Sequence, residues 1–455
     1  MDLQRATPYP GRMTPAPAAR ARASQPSATR RRPWWLLPIF GSVPEVDDRS
    51  IRLLGLIAIA AFFENYDLSN LMSALSYIAA DFGLADATLA GYVGIIRLGA
   101  IPAFLLIPLA DRVGRRRLFI AAVAGMALTT VASAFARTVE QFVVLQMLFR
   151  TTVLLSSTLA FVILAEEFPA QHRGWGIGML GALGATGWGF GALLFGLVER
   201  LPYGWRALYA IGVFPIFFVP LLRREIPETA RFARHAAARA ERAPVGAIAA
   251  WLEPIGELVR RYPMRVVAVT LAGGLYSAGE VSVFQFCGFF TITTHGWQPW
   301  QFSVMVLLAG AFGMLGNVVA GRLADAFGRR PVGAAVALSF PAFAWLFYHV
   351  PGTWLPPLWA FLTLCSVSTN VMVRALGTEV FPTSHRGTAG GWLSLVQTLG
   401  SAAGLGATSV AISRGFTLPL AVSAVAILCA IGGASLLLLP ETSRLELEAI
   451  ADDPA

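Results

Sequence analysis

The chain has 455 residues, of which 56% are hydrophobic and 13% are charged, and its mean hydropathy is +0.63. Soluble domains carry about 25% charged residues, so this composition argues against one large soluble domain and favours repeated membrane-spanning helices. All 35 basic residues are arginines that stand between apolar segments, which indicates membrane topology rather than a nucleic-acid surface.

The N-terminal segment is rich in Pro, Ala, Ser and Arg, and we interpret residues 1–50 as a disordered, basic cytoplasmic tail. Three arginines at 30–32 precede a short apolar run, as in a twin-arginine signal, but Pro38 breaks that run. The interpretation we prefer is a tail with an aromatic interfacial anchor. Cys287, Cys365 and Cys429 fall inside predicted spans, which argues against a disulfide framework.

Apolar segments long enough to cross a bilayer recur along the rest of the chain, since a spanning helix needs about 20 such residues. They predict an all-α integral membrane protein with twelve transmembrane helices in two six-helix bundles. The N-terminal bundle is residues 51–222 and the C-terminal bundle is 264–438, joined by a linker at 223–263 and followed by a tail at 439–455. The predicted spans are 51–80, 88–110, 118–136, 139–164, 174–198, 205–222, 264–294, 301–321, 331–350, 354–378, 387–413 and 416–438.

Arginine placement predicts the orientation. With both termini in the cytoplasm, 28 arginines fall on cytoplasmic segments. Only four fall on the opposite side: Arg137, Arg200, Arg206 and Arg414. We therefore expect a multi-pass protein of the inner (plasma) membrane with cytoplasmic N- and C-termini.

The linker contains an amphipathic pattern with two interpretations. Apolar residues recur at helical spacing at 248, 251, 252, 255, 258 and 259, opposite Glu253, Glu257 and Arg260. Such a helix lies on the membrane surface or packs against the underside of the bundle.

Three pairs of motifs repeat at an offset of 213–214 residues. LADRVGRRR at 109–117 returns as LADAFGRRP at 323–331, and EEFPAQHRG at 166–174 returns as EVFPTSHRG at 379–387. PETAR at 227–231 returns as PETSR at 440–444. The constant offset indicates two related halves, a construction found in secondary transporters.

These motifs resemble those of the major facilitator superfamily, in particular its sugar-porter and metabolite–proton symporter branches. The resemblance covers about 51–448 and implies a secondary transporter that works by alternating access. Two departures argue against a hexose substrate. Leu275 and Tyr276 stand where sugar porters have paired glutamines, and Arg150 lacks the Gly-rich run that usually follows the arginine of the fourth helix.

The resemblance also implies a role for the charged residues of the repeated loops, namely that they latch the helix ends together when the cytoplasmic side is closed. Gly114 permits the tight turn of the first loop. The alternative is positive-inside anchoring with simple pairing of helix ends. The cytoplasmic gate we predict consists of Asp111, Arg112, Arg115, Glu166, Arg173, Glu228, Arg231, Asp325, Arg329, Glu379, Arg386, Glu441 and Arg444.

Four charged residues reach a similar depth in different spans, which marks them as functional candidates because ionisable groups are costly inside a membrane. At about 1.5 Å per residue, Asp67, Arg150 and Glu280 lie about 24 Å, and Arg97 about 21 Å, from the cytoplasmic ends. Glu64 is one turn from Asp67, and the repeat offset makes Asp67 equivalent to Glu280. Permanent ion pairs that staple helices together are the alternative.

We expect these charges to line a central cavity. The proton-coupling candidates are Asp67, Glu64 and Glu280; Asp67 gains from resemblance, because FENYDLS stands where sugar porters have a Gly-Tyr-Asp sequence. Arg374 lies five residues before Glu379 and is expected to belong to the latch. The substrate-binding candidates are Arg97, Arg150, Tyr66, Asn65, Gln285, Asn317 and Trp392.

Three functions are compatible with this pattern. The first is proton-coupled symport of a small polar organic solute, such as a carboxylate or a sugar-like metabolite. The second is export of amphiphilic or cationic compounds by proton antiport, and the third is a non-transporting receptor on the same scaffold. We expect no enzymatic activity, no cofactor and no metal. The expected partners are a small-molecule substrate, a proton and the lipid bilayer, with no nucleic acid; a monomer fits, although the sequence does not identify the oligomeric state.

Overall fold

The computed structural model describes residues 33, 35–36, 43–226 and 247–442; within these ranges the side chains at 111–112, 170, 247–252, 314–315, 317–318 and 383 are not described. Most of the tail predicted at 1–50 therefore lies outside the described residues. The first helix described begins at Asp48, close to the boundary predicted at residue 50. Asp47 caps that helix, with its carboxylate accepting the backbone N–H of Ser50 at 3.2 Å.

The described residues form helices joined by short turns. In chain order these are α1 Asp48–Ser73, α2 Leu75–Phe82, α3 Asp86–Leu98, α4 Ile101–Leu106, α5 Ala110–Val113, α6 Arg115–Ala134, α7 Val139–Glu167, α8 Arg173–Phe195, α9 Trp205–Ile211, α10 Phe214–Glu225, α11 Ala247–Arg261, α12 Pro263–His295, α13 Pro299–Phe327, α14 Arg329–His349, α15 Leu355–Glu379, α16 Arg386–Ser413 and α17 Leu418–Ser435.

Helices occupy every segment in which the sequence predicts a span. Among the residues that the structure describes, ten helical segments are long and apolar enough to cross a membrane. Helix α1 is not among them because Glu64, Asp67 and several polar residues lower its hydropathy. The ten are Asp86–Leu109, Arg115–Ala134, Val139–Glu167, Arg173–Phe195, Trp205–Glu225, Pro263–His295, Arg329–His349, Gly352–Glu379, Arg386–Ser413 and Leu418–Leu438.

The two halves pack their central helices in the same way. A Cβ at Gly187 of α8 would lie 1.9 Å from the carbonyl oxygen of Phe62 in α1. A Cβ at Gly400 of α16 would lie 2.1 Å from that of Gly274 in α12. Gly187 and Gly400 are 213 residues apart, so the sequence repeat is also a repeat of helix contacts. Backbones approach this closely only where the side chain is absent.

The amphipathic linker helix, α11, packs against the underside of the bundle, which is the second of its two interpretations. Leu258 is fully buried in a cluster with Val266, Val380 and Phe381. Glu257 lies 3.7 Å from the imidazole of His385, at the start of α16. The described part of α11 thus uses its apolar face for contact with the protein.

Candidate functional site

Two adjoining cavities lie among the central helices. The larger measures about 1060 Å³ and extends from Glu64 in α1 to Thr378 and Gly390, which lie beside the repeated loop between α15 and α16. The smaller measures about 210 Å³, and its apolar walls are Leu68, Met72, Trp188, Val281 and Phe284. Arg97 and Arg150 line both cavities, so the two arginines stand where the cavities meet.

Close packing of α3 against α7 brings these arginines together. A Cβ at Gly99, two residues after Arg97, would lie 2.3 Å from the carbonyl oxygen of Met147. The hydroxyl of Thr151 donates to the carbonyl of Gly99 at 2.5 Å. Since Arg150 precedes Thr151, this contact sets two cations side by side. Like charges repel, so this arrangement requires carboxylates nearby or an anionic ligand.

Arg97 also connects the two halves of the chain. Its guanidinium donates to Oε1 of Gln285 in α12 at 3.1 Å. The amide of Gln285 in turn donates to the carbonyl of Leu71 in α1 at 3.3 Å. Arg97 and Gln285 are thus joined as cavity-lining residues, as the sequence predicts, and they form a polar bridge between α3, α12 and α1.

Asp67 lies deeper, behind the cavity wall. It is 2% exposed, and neither carboxylate oxygen has a hydrogen-bond partner within the part of the chain that the structure describes. Its polar neighbours are Thr130 and Arg150. An ionised carboxylate in such a place lacks the donors that water would supply, so a bound proton would relieve this cost.

Glu64 faces the larger cavity itself. Its polar neighbours are Ser157 and Arg150, both in α7. Arg150 is therefore the cationic neighbour of two carboxylates of α1, Glu64 on the cavity side and Asp67 in the wall. This arrangement brings together three of the predicted charges.

Glu280 has a different environment. Its carboxylate accepts a hydrogen bond from the hydroxyl of Ser366 and another, of 2.7 Å, from the amide of Asn370. Arg374 and Arg97 are its cationic neighbours. Arg374 lines the larger cavity, so our assignment of this residue to the loop latch was wrong. Ser366, Asn370 and Arg374 follow one another at intervals of four residues on α15, a spacing that places them on one face.

Three predicted binding residues point elsewhere in this conformation. Tyr66 is fully buried and its hydroxyl donates to the carbonyl of Leu208 at 2.6 Å. The amide of Asn65 donates to the carbonyl of Ala61 at 2.8 Å, within its own helix, and the indole of Trp392 donates to the hydroxyl of Thr270 at 2.9 Å. The contacts of Tyr66 and Trp392 join packed helices, whereas that of Asn65 stays within its own helix. The side chain of Asn317 is not among those described.

Helix α16 presents a polar face of which the sequence predicts only Gln397 as a possible cavity residue. Ser394, Gln397, Thr398 and Ser401 all line the larger cavity. They recur at i, i+3, i+4 and i+7, the spacing of one helix face. The spacing is visible in the sequence, but the same segment is Gly-rich, a composition that is also typical of close helix packing.

The repeated loops contain matching ion pairs. Arg115 pairs with Glu166, and Arg329 pairs with Glu379. Each pair ties two helices of the same half. Gly114 and Gly328, with φ of 108° and 99°, precede the arginines and turn the chain through a backbone conformation that favours glycine.

The second loop receives further support from the PETSR motif. Glu441 accepts the backbone N–H groups of Arg329 at 2.9 Å and Arg330 at 3.1 Å, at the beginning of α14. Thr442 donates to Glu379 at 2.8 Å.

The remaining predicted gate residues are exposed, bonded within their own loop, or not described. Arg173 and Asp325 are exposed, and Arg386 donates to the carbonyl of Phe381 at 3.3 Å. Glu228, Arg231 and Arg444 lie outside the described residues, and the side chains of Asp111 and Arg112 are not described.

On the side opposite these loops, serines join the two halves. The hydroxyl of Ser409 donates to the carbonyl of Ala87 at 2.7 Å, and that of Ser303 donates to the carbonyl of Ala192 at 2.5 Å. The larger cavity thus reaches the loop side, whereas the halves touch on the other side. Among the described residues, no cluster of three or more His, Cys, Asp or Glu side chains could hold a metal ion.

Apolar helices around a charged internal cavity define a multi-pass membrane transporter. The chain belongs to the Major Facilitator Superfamily, whose model matches residues 57–405 and 306–448. It is therefore a transporter and not an enzyme.

Known relatives include transporters of organic acids. The chain is 32% identical to the gallate transporter of Pseudomonas putida over 227 residues, which are 46% of this chain and 47% of that protein. It thus spans about half the length of that relative. It is 27% identical over 350 residues to the cis,cis-muconate transport protein of Acinetobacter baylyi, covering 76% of this chain and 83% of the other.

The fold is also that of solved transporters. The inward-open conformation of the xylose transporter XylE from E. coli matches with a TM-score of 0.66 and 19% identity, over 88% of this chain and 99% of that one. This likeness concerns the fold alone.

Proposed function

We propose that this protein is a proton-coupled symporter of small organic carboxylates with an apolar, unsaturated body. The observation that carries the proposal is the pair Arg97 and Arg150 at the mouth of the small cavity lined by Trp188 and Phe284. Guanidinium groups recognise carboxylates, and aromatic walls suit a flat apolar body. The gallate and muconate transporters among the relatives support this substrate class.

Asp67 is the proton site of this proposal. It is buried, neither of its carboxylate oxygens makes a hydrogen bond within the described part of the chain, and it lies beside Arg150. When Asp67 is ionised, it competes with a substrate carboxylate for that arginine. When Asp67 holds a proton, Arg150 is left to the substrate. Proton binding and anion binding would therefore favour each other, as coupling requires.

In this proposal, the protein has twelve spans in two six-helix bundles, residues 51–222 and 264–438. The linker 223–263 joins the bundles, and the tail 439–455 follows the second. The loop side is cytoplasmic, both termini are cytoplasmic and the membrane is the inner (plasma) membrane. The bundles rock about the central cavity to give alternating access. With the larger cavity reaching the loop side, the conformation described is inward-open. The loop charges then act as a latch in the outward-open state.

A ligand screen tests the substrate class. Purified full-length protein is heated with gallate, 4-hydroxybenzoate, cis,cis-muconate, D-xylose or a quaternary ammonium compound. Binding to the folded state raises the apparent melting temperature by mass action, and we expect a rise with carboxylates only. Stabilisation by the quaternary ammonium compound alone would instead favour proton antiport of cations. Binding without uptake into proteoliposomes, under any imposed gradient, would contradict the proposed transport.

A further inference from the structure

The charged residues of the cavities balance one another. Among the described residues, the two cavities are lined by three arginines and two carboxylates: Arg97, Arg150, Arg374, Glu64 and Glu280. The third carboxylate, Asp67, lies in the wall beside Arg150. With all six groups ionised, the site is neutral.

The three acids are not equivalent as acceptors of a proton. Glu280 accepts hydrogen bonds from Ser366 and Asn370 and has Arg374 and Arg97 as cationic neighbours. Hydrogen bonds and positive charges of this kind stabilise the ionised form. Glu64 faces the open cavity beside Ser157 and Arg150. Only Asp67 among the three is buried with neither carboxylate oxygen making a hydrogen bond within the described chain.

The remaining titratable neighbours add no charge at neutral pH. Asp67 faces Thr130 of α6, Arg150 of α7 and Tyr209 of α9. Glu280 faces Tyr276 of its own helix and Cys429 of α17, besides the groups that bond to it. Phenols and thiols are neutral near pH 7. One proton on Asp67 therefore changes the charge of the site from zero to plus one.

We propose that the site selects monoanionic carboxylates and carries one of them with each proton, so that the transport cycle moves no net charge. This inference rests on the proposed function, which it deepens by fixing the charge of the substrate. A monoanion returns the protonated site to neutrality. A dianion would leave an unbalanced negative charge in a largely apolar enclosure, which is costly. Among acids of the kinds that the relatives transport, a gallate-like monoanion should therefore bind more tightly than a muconate-like dianion.

The test uses proteoliposomes with the full-length protein and three ligands on one ring scaffold: 4-hydroxybenzoate, terephthalate and 4-hydroxybenzamide. We expect an inward proton gradient to drive uptake of 4-hydroxybenzoate, whereas a membrane potential set with potassium and valinomycin leaves it unchanged. Terephthalate, the dianion, should bind at least about tenfold more weakly, a difference of about 1.4 kcal/mol. Binding stronger for the neutral amide than for the acid would contradict the inference.

A charge variant sharpens the test. Glu280→Gln removes one negative charge, which raises the net charge of the site by one. With a proton on Asp67, the variant site should therefore accept the dianion. We expect the preference for 4-hydroxybenzoate over terephthalate to fall by about tenfold. The matched control is Glu199→Gln. Glu199 accepts a hydrogen bond from the Tyr77 hydroxyl on the side opposite the loops, so this variant should leave the preference unchanged.

The possible outcomes separate this inference from the function it rests on. The selection of monoanions is overturned if uptake of 4-hydroxybenzoate responds to membrane potential. It is also overturned if the wild type transports terephthalate as well as 4-hydroxybenzoate. Either result leaves carboxylate symport standing. Failure of all carboxylates, here and in the ligand screen, overturns both. If Glu280→Gln does not fold, the response of wild-type uptake to membrane potential still tests the inference.

Discussion

Asp67 and Glu280 occupy equivalent positions of the two halves, 213 residues apart, yet their surroundings differ. Glu280 receives hydrogen bonds from Ser366 and Asn370 of α15, whereas Asp67 receives none from the described chain. The repeat offset explains part of this, because Val153 of α7 stands where α15 has Ser366. The comparison teaches that a repeated carboxylate can serve as a fixed charge in one half and as a proton acceptor in the other.

The largest expected effect comes from removing the proton acceptor. Asp67→Asn should abolish accumulation driven by a proton gradient while sparing exchange of labelled for unlabelled substrate, since exchange needs no net proton movement. Uptake and exchange in proteoliposomes at equal protein content measure both. Glu280→Gln should by contrast still respond to the proton gradient. Undiminished accumulation in Asp67→Asn would remove this residue from coupling.

The next effect concerns the arginines that the two carboxylates face. Arg97→Gln or Arg150→Gln should weaken binding of 4-hydroxybenzoate by at least about tenfold relative to its amide, because charge-assisted hydrogen bonds contribute about 1.5–3 kcal/mol. Calorimetric titration of both ligands measures the ratio. Equal losses for acid and amide would indicate that the arginines only pair with internal carboxylates.

A smaller effect is expected from exchanging donors between the halves. Val153→Ser would place a hydroxyl where the second half has Ser366. A hydrogen bond to the charged form favours ionisation, so coupled uptake should need a more acidic medium, by a few tenths of a pH unit to about one unit. Ser366→Val should weaken the preference for monoanions over dianions and leave the pH dependence of coupled uptake unchanged. A pH series of initial uptake rates distinguishes them; the same shift in both variants would contradict the difference between the halves.

The smallest effects are expected at the loops. Asp111→Asn should slow transport and leave binding largely intact, because it loosens the latch without touching the cavity. Asp325→Asn should be milder, since its loop has Ala326 where the first has Arg112. Initial rates and equilibrium binding, measured side by side, separate turnover from affinity. Loss of binding with normal turnover in Asp111→Asn would show that the latch assignment is wrong.

Much of the site was predictable because charge is conspicuous in an apolar sequence. Arg97, Arg150 and Glu280 were predicted from their depth in the spans, since few polar groups are tolerated there, and all three line the cavities. Asp67 was expected to line the cavity as well, but it lies in the wall. Arg374 was assigned to the latch because it lies close to the loop in sequence. Its side chain instead lines the larger cavity, because sequence distance does not fix the direction in which a side chain points. Tyr66 was predicted as a binding residue for its polarity, but its hydroxyl is used by the backbone of α9.

The sequence by itself determined the class of the protein, the places of the helices and the twofold repeat, because hydrophobic length and repeated motifs are local properties of the chain. Only the tertiary structure decided which carboxylate accepts hydrogen bonds from the described residues and which does not. That difference depends on side chains from α7 and α15, more than 80 residues away from Asp67 and Glu280 respectively. A polar group inside a bilayer is governed by the partners that helix packing brings to it, and the sequence of its own helix does not contain them.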